Sequence, residues 1–175
     1  MSKIHIEKIS VTDLALDAIV NAANEGLWEG GGVCGAIFRA AGSKELTKAC
    51  QAIGHCDTGN AVITPGFRLP AKYVIHAVGP VWRGGNCKEA KLLYQAYRNA
   101  LRVAKDNNCH SIGFPLISSG IFGYPLEGAW KEAINACKDF IVKNETYDIE
   151  ITFAVLDDRI MKVGKQMLEY EEKKS

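Results

Sequence analysis

Charge of either sign in excess is the first thing this sequence lacks. Its 175 residues include 21 Lys and Arg against 20 Asp and Glu, a formal net charge of +1. A surface so balanced offers no bulk attraction for nucleic acid or an anionic membrane. Basic residues are not interleaved with aromatics as a nucleic-acid groove requires, so nucleic acid is not expected as a partner. No window approaches the ~20 apolar residues of a membrane span. The opening "MSKIHIEKIS" lacks the apolar stretch of a secretory signal. A soluble, cytoplasmic protein with no membrane partner is therefore expected.

Metal and disulfide chemistry are equally unprompted. The six cysteines, Cys34, Cys50, Cys56, Cys87, Cys109 and Cys137, include no Cys-x-x-Cys pair, and an intracellular chain of this size needs no disulfides. His55-Cys56 is the one adjacent His/Cys pair; without two further ligands at recognisable spacing it reads as a polar loop residue beside a small buried thiol, and no metal is expected. Two nucleotide-binding signatures are missing as well. No Gly-Lys-Ser/Thr follows the glycine runs, and no Gly-x-Gly-x-x-Gly has its downstream acid. Internal repeats, linkers and low-complexity segments are also absent.

What remains is ordinary globular composition, 47% hydrophobic and 23% charged, of a length that favours one domain over residues 1–175. Six segments read as strands: "KIHIEKIS" as an edge strand by its alternation, then "DAIVNAAN", "NAVITPGFRLP", "AKYVIHAVGP", "SIGFPLI" and "DIEITFAVLD". Five helices fall between and after them. "VCGAIFRAAG" ends at Gly42 as C-cap, and "SKELTKACQAIG" starts with Ser43 as N-cap. "CKEAKLLYQAYRNALRVAKDNN", "LEGAWKEAINACKDFIVKN" and "RIMKVGKQMLEYEEKKS" follow, the last with a charged tail at about 170–175 expected to fray. Alternation of strand and helix argues for α/β layers. The first two strands are too close in sequence for a helical crossover, so they cannot be adjacent parallel partners, and a mixed sheet is expected.

Three segments join glycine to small polar residues at the ends of buried strands, where ligands sit in open α/β sheets. They are Asn21–Gly35, Val78–Gly85 and Ile117–Pro125. In the last, Gly120 and Gly123 let backbone N–H groups turn toward one point, Ser118 and Ser119 add hydroxyls, and a helix follows. Phe122 can pack on a ribose or base, although a tight turn with a buried aromatic reads equally well. Gly30, Gly31 and Gly32 bare the backbone at a helix start, a second place for phosphate. Asn21 and Asn24 can hold sugar hydroxyls or cap their own loop. Together the segments point to a diphosphate flanked by riboses and bound through backbone amides.

"DAIVNAANEGLWEGGGVCGAIFRAAG", "C-TG-AVIT", "LPAKYVIHAVGPVWRGG" and "FPLISSGIFGYP", in this order and spacing, resemble the macro domain family, and within it the MacroD-type and bacterial O-acetyl-ADP-ribose deacetylase branch. The likeness runs from about Ile9 to Asp158. It implies a three-layer α/β/α fold with a central mixed β-sheet, and ADP-ribose bound across the strand ends. By position it places Asn24 at the distal ribose and Gly31, Gly32 and Val33 along the diphosphate and that ribose. Ser118, Ser119, Gly120, Ile121, Phe122 and Gly123 form the second diphosphate loop, while Ser10, Val11, Leu156 and Asp157 fall at the adenine end. Ser10 stands where the family's aspartate takes the adenine amino group. Cys34 and Phe38 stand where the hydrolases carry an aspartate and a histidine. The implied activity is release of ADP-ribose from mono-ADP-ribosylated protein, or deacetylation of O-acetyl-ADP-ribose, through a substrate-oriented water and without a cofactor. The candidate catalytic residues are Asn24 and Cys34. A thiol near its reference pKa of ~8.5 is a poor general base, which leaves Cys34 passive, a thiolate activated by the helix start, or a redox-sensitive thiol. It also leaves a non-catalytic ADP-ribose reader as the alternative.

Overall fold

The computed structural model describes residues 3–174. Strands β1 (Lys3–Lys8), β2 (Ala18–Ala22), β3 (Ala61–Pro65), β4 (Tyr73–Ala77), β5 (Ser111–Phe114) and β6 (Glu150–Val155) form one sheet in the order β1-β6-β5-β2-β4-β3. All neighbours are parallel except β3 and β4. The sheet is mixed, as expected, and β1 and β2 are not adjacent. The antiparallel pair lies elsewhere, in the hairpin of β3 and β4. Its turn is closed by Gly66 N–H on the Lys72 carbonyl at 2.9 Å. A Cβ on Gly66 would stand 2.2 Å from the Ala71 carbonyl oxygen, so only glycine fits there. The alternating β1 takes the edge position read from its pattern.

Because side chains alternate across a strand, the central strands bury residues on both faces. Ala18, Val20, Ile75, Ile112, Phe114, Ile151 and Phe153 face one core. Helices α3 (Glu89–Asp106), α4 (Leu126–Lys143) and α5 (Asp158–Lys173) cover it. Ile19, Val74, Val78 and Ala154 face the other, under α1 (Gly32–Ala41) and α2 (Ser43–Ile53). The result is the expected three-layer α/β/α arrangement. Among the described residues no helix is long and apolar enough to cross a membrane.

The second face is covered only in part by helices. The link from β1 to β2 must carry the chain from the exit of one parallel strand to the entrance of another, past the two strands β6 and β5 that lie between them. It does so through a 3-10 turn, Val11–Asp13, whose first residue Val11 and following residue Leu14 are buried in this core. Leu14 lies directly on β5, because a Cβ on Gly113 would come within 2.5 Å of Leu14 Cδ1. Gly113 therefore makes room for the crossing chain. This short segment stands in for the helix that a crossover would otherwise supply.

Two helix ends differ from the sequence reading. Gly42, at φ 106°, serves both helices: its N–H bonds the Phe38 carbonyl at 3.0 Å to close α1, and it is also the N-cap of α2. Ser43 is the first helical residue rather than the cap, because the glycine conformation already makes the turn. At the C-terminus α5 runs on to Lys173, held by Lys173–Glu169 and Lys174–Glu171 pairs. The tail expected to fray is thus helical that far, and Ser175 lies outside the described residues.

A fully buried polar chain crosses β2, β4 and β3. The Asn21 amide nitrogen lies 3.0 Å from His76 Nδ1 and must donate to it. His76 then carries its proton on Nε2, which donates to Thr64 Oγ1 at 2.9 Å. Phe38 meets the imidazole edge-on. Burial disfavours the imidazolium and lowers the His76 pKa to about 4 from 6.5. The unfolded chain therefore takes up a proton at higher pH than the folded one. The resulting stability is present above about pH 6.5 and is lost as pH falls toward 4, by roughly 3 kcal/mol. Chemical denaturation of wild type and His76→Leu across this range should show a loss in the wild type that is flattened in the variant. Parallel curves would show that His76 titrates alike in both states.

Candidate functional site

Parallel strands deliver their connections to one edge of the sheet, and five of them open into one cleft of about 590 Å³. Its walls are residues 9–11 after β1, 22–24 after β2, Gly79 after β4, 115–122 after β5, and 154–157 around the exit of β6, with 30–34 at the start of α1. Ser10, Val11, Asn24, Gly31, Gly32, Val33, Cys34, Ser118, Ser119, Gly120, Ile121, Phe122, Leu156 and Asp157 all line it. Gly123 does not. It sits at φ 72° with its N–H on the Gly120 carbonyl at 3.0 Å, closing the turn that presents the others. Phe38 is also absent from the wall, being wholly buried against His76.

The start of α1 is built to leave donors open. Gly31 is its N-cap, no side chain caps the helix, and no acid stands in its first turn. The first N–H groups of any helix lack intrahelical partners and carry partial positive charge. Here those groups belong to a segment of the cleft wall. A Cβ on Gly32, at φ 56°, would meet nothing within 4 Å, so a side chain there would project into open space. Across the cleft, Ile121 reaches over so far that a Cβ on Gly31 would lie 3.4 Å from its Cδ1. The two glycine loops thus come together above the cavity floor.

The loop after β5 supplies the second feature. Ser118 is 5% exposed at φ 69°, and its Oγ is buried without a hydrogen-bond partner. Leaving a buried hydroxyl unpaired costs on the order of 1–3 kcal/mol, and this one lies in the cleft wall. Gly79 makes room for it, since a Cβ there would fall 2.2 Å from Ser118 Oγ. Ser119 Oγ donates to the Leu116 carbonyl at 2.8 Å, and Tyr124 N–H to the Ser118 carbonyl at 2.9 Å. Beneath the loop the buried Tyr97 hydroxyl accepts the Ile117 N–H at 2.8 Å. Burial pushes that phenol well above its ordinary range, so it stays a neutral hydroxyl.

The segment Val78–Gly85, singled out by its glycines, packs against this loop. Trp82 N–H bonds the Phe122 carbonyl at 2.8 Å, and its ring lies 4.7 Å from that of Tyr124. Glu89 anchors the segment by accepting the N–H groups of Arg83, Gly85 and Cys87 at 2.8, 3.0 and 2.6 Å. Burial pushes this carboxyl up, but the amides outweigh it and hold its pKa at about 2. The clamp is therefore intact above pH 4.5 and is released as pH falls through 2.

Asn24 and Cys34 are already engaged with the loop between them. Asn24 donates to the Trp28 carbonyl at 2.9 Å and accepts the Trp28 N–H at 3.1 Å, as a loop-capping asparagine does. Its amide keeps one N–H and one lone pair for a second partner. The buried Cys34 Sγ accepts the Gly30 N–H at 3.4 Å and lies 3.8 Å from the Trp28 carbonyl. At the other end of the cleft the Ser10 hydroxyl is paired with Thr12 Oγ1 at 2.8 Å. Asp157 Oδ1 accepts the Arg159 and Ile160 amides at 2.9 and 3.0 Å, as N-cap of α5. Asp157 is thus the acid that the structure brings to the end where Ser10 stands.

All six cysteines are free thiols, and only Cys87 is exposed. His55 is exposed and Cys56 buried, as read from the sequence. One convergence is not visible in the spacing: the exposed Glu25, His55 and Asp57 bring their polar atoms within 4.8 Å of one another. They serve each other and the loop. His55 Nε2 meets Asp57 Oδ1 at 2.8 Å, and Glu25 Oε2 accepts the Thr58 N–H and hydroxyl, both at 3.0 Å.

Comparison with known proteins agrees with this geometry. The family model described as Macro domain matches residues 20–133. An O-acetyl-ADP-ribose deacetylase of Citrobacter rodentium is 47% identical over 171 residues, covering 95% of this chain and 96% of its own. A macro domain-containing protein of Chlorobaculum tepidum is 49% identical over 165 residues, 94% of this chain and 95% of its own. Among solved structures, the Oceanobacillus iheyensis macrodomain with ADP has a TM-score of 0.91 and 37% identity, covering 97% of this chain and 92% of that one. The Trypanosoma brucei macrodomain in complex with ADP-ribose has a TM-score of 0.87 and 38% identity, covering 94% and 68%.

Tyr97→Phe tests whether the loop after β5 is held from below. It leaves the Ile117 N–H unpaired and should destabilise the protein by about 1–3 kcal/mol. Amide exchange should speed up locally at residues 116–123. An unchanged exchange pattern would show that the loop holds itself.

Proposed function

The chain belongs to the macro domain family, and from that premise we propose that its cleft binds ADP-ribose and hydrolyses a bond at the distal ribose. One observation carries the ligand. An uncapped helix start and a buried, unpaired serine hydroxyl line the same cleft, and a diphosphate satisfies both. Its charge is met by backbone dipoles rather than by lysine or arginine, which accords with the near-neutral composition. Asn24, with one N–H and one lone pair still to use, meets the distal ribose. The adenine end is bounded by Leu156, Val11 and Asp157, with the Ser10 hydroxyl already committed to Thr12.

The reaction is hydrolysis of O-acetyl-ADP-ribose, or of the bond that joins ADP-ribose to a protein side chain. One water adds and one bond to the sugar or its ester breaks. ADP-ribose leaves together with acetate or the free side chain. Neither Asn24 nor Cys34, both tied by hydrogen bonds to the loop between them, is placed to take the proton. Catalysis then rests on position: the diphosphate, held by the glycine loops, orients a water against the reacting carbon, and such positioning alone supplies much of a rate. The names of relatives 46–47% identical over nearly the whole chain support this choice of substrate.

A reader that binds ADP-ribose without chemistry is the second reading. What favours it is Cys34 itself, buried and bonded into the loop where related hydrolases carry an aspartate. Calorimetry and turnover separate the two. Gly32→Glu should abolish ADP-ribose binding by placing a carboxylate at the diphosphate; normal binding would refute the site. Wild type should release ADP-ribose from a mono-ADP-ribosylated protein, or acetate from O-acetyl-ADP-ribose, above the buffer rate. If only Cys34→Asp does so, the native protein is a reader.

A further inference from the structure

Beyond Asn24 the cleft opens onto a rim that the binding of ADP-ribose does not use. Trp28 stands there 65% exposed, yet its position is fixed from three sides. Its backbone is held at both ends by Asn24. Its ring lies against Gly26, where a Cβ would fall 1.8 Å from a ring carbon. The residue before it, Leu27, is buried at φ 59° and roots the turn in the core. The indole is thus held outward beside the Asn24 end of the cleft, where its face is open to a partner.

The surroundings of this ring are acidic. Glu25 and Glu29 flank it in sequence and are exposed, and Asp57 joins Glu25 through the Thr58 turn. Arg39 of α1 is the cation on this side, its guanidinium over Gly35 near the Gly30 carbonyl, and His55 is paired with Asp57. An exposed indole on a loop that also carries Glu25 and Glu29, with Asp57 tied to it through Thr58, favours a cation, since the negative ring face and the carboxylates attract the same charge. The cleft itself favours the opposite sign, so the two surfaces divide the ligand between them.

We infer that the Trp28 rim, with Glu25, Glu29 and Asp57, receives a lysine- or arginine-bearing segment of the ADP-ribosylated protein next to the modified residue. The inference rests on the reading that the distal ribose lies at Asn24, because whatever the sugar is attached to then leaves the cleft across Trp28. The ring stacks on the guanidinium or ammonium group while the carboxylates steer it. The rim selects for protein substrates with basic flanks and leaves free ADP-ribose unaffected.

The test uses two peptides, identical except for flanks of Arg and Lys or of Asp and Glu, each joined to ADP-ribose by a non-hydrolysable linker. Their affinities are compared with that of free ADP-ribose. The basic conjugate should bind wild type about tenfold more tightly than the acidic one at low salt, and the gap should narrow as salt rises. Trp28→Ala and Glu29→Lys should each weaken the basic conjugate about fivefold, with free ADP-ribose unmoved and Trp28→Phe restoring most of the loss. Equal affinity of the two conjugates for wild type, or a preference that survives in both variants, would overturn the inference. If free ADP-ribose binds wild type while the two conjugates bind alike, the rim falls and the cleft assignment stands. If nothing binds, both fall.

Discussion

Two unmet demands on one cavity organise this molecule: the bare first turn of α1 and the buried hydroxyl of Ser118. Each is unfavourable alone. A helix start without a cap forgoes the roughly 0.5–2 kcal/mol that a serine or aspartate would bring, and a buried hydroxyl without a partner forgoes its hydrogen bond. Both remain because the sheet, the flanking helices and Gly79 fix them in place. An anionic, hydrogen-bond-rich ligand resolves both at once. The cleft is thus assembled before its ligand arrives, and less ordering cost falls on binding.

The surrounding structure keeps those two features rigid through bonds made below them. Tyr97 holds the loop after β5 at Ile117, while Glu89 gathers three amides to brace the neighbouring loop, which in turn bonds Phe122. On the other wall Asn24 and Cys34 both bond to the loop that carries Trp28. Cys34, buried in the cleft wall, is thereby part of the scaffold.

Much of this was legible from local pattern. Apolar runs between turn residues revealed six strands and five helices, and glycine next to small polar residues at strand exits revealed the two loops. Gly123 lies one residue beyond what pattern can resolve, since the turn it closes and the wall it leaves look alike in sequence. The residue type of Ser43 suits a cap but says nothing of the glycine before it, which already makes the turn. Contacts distant in sequence left no local trace: Leu14 on Gly113, the pairing of Asn21 with His76, and the meeting of Glu25 with His55 and Asp57. Asn24 shows the limit best. Its type allowed both a sugar contact and a loop cap; the structure places the cap and leaves the atoms for a second bond.

A structure of the protein with ADP-ribose tests the central claim most directly. The account predicts the diphosphate between the amides of Gly31, Gly32 and Val33 and those of the 118–122 loop, with Ser118 Oγ hydrogen-bonded to a phosphate oxygen. A diphosphate bound elsewhere, or a Ser118 hydroxyl still buried and unpaired beside it, would contradict the account.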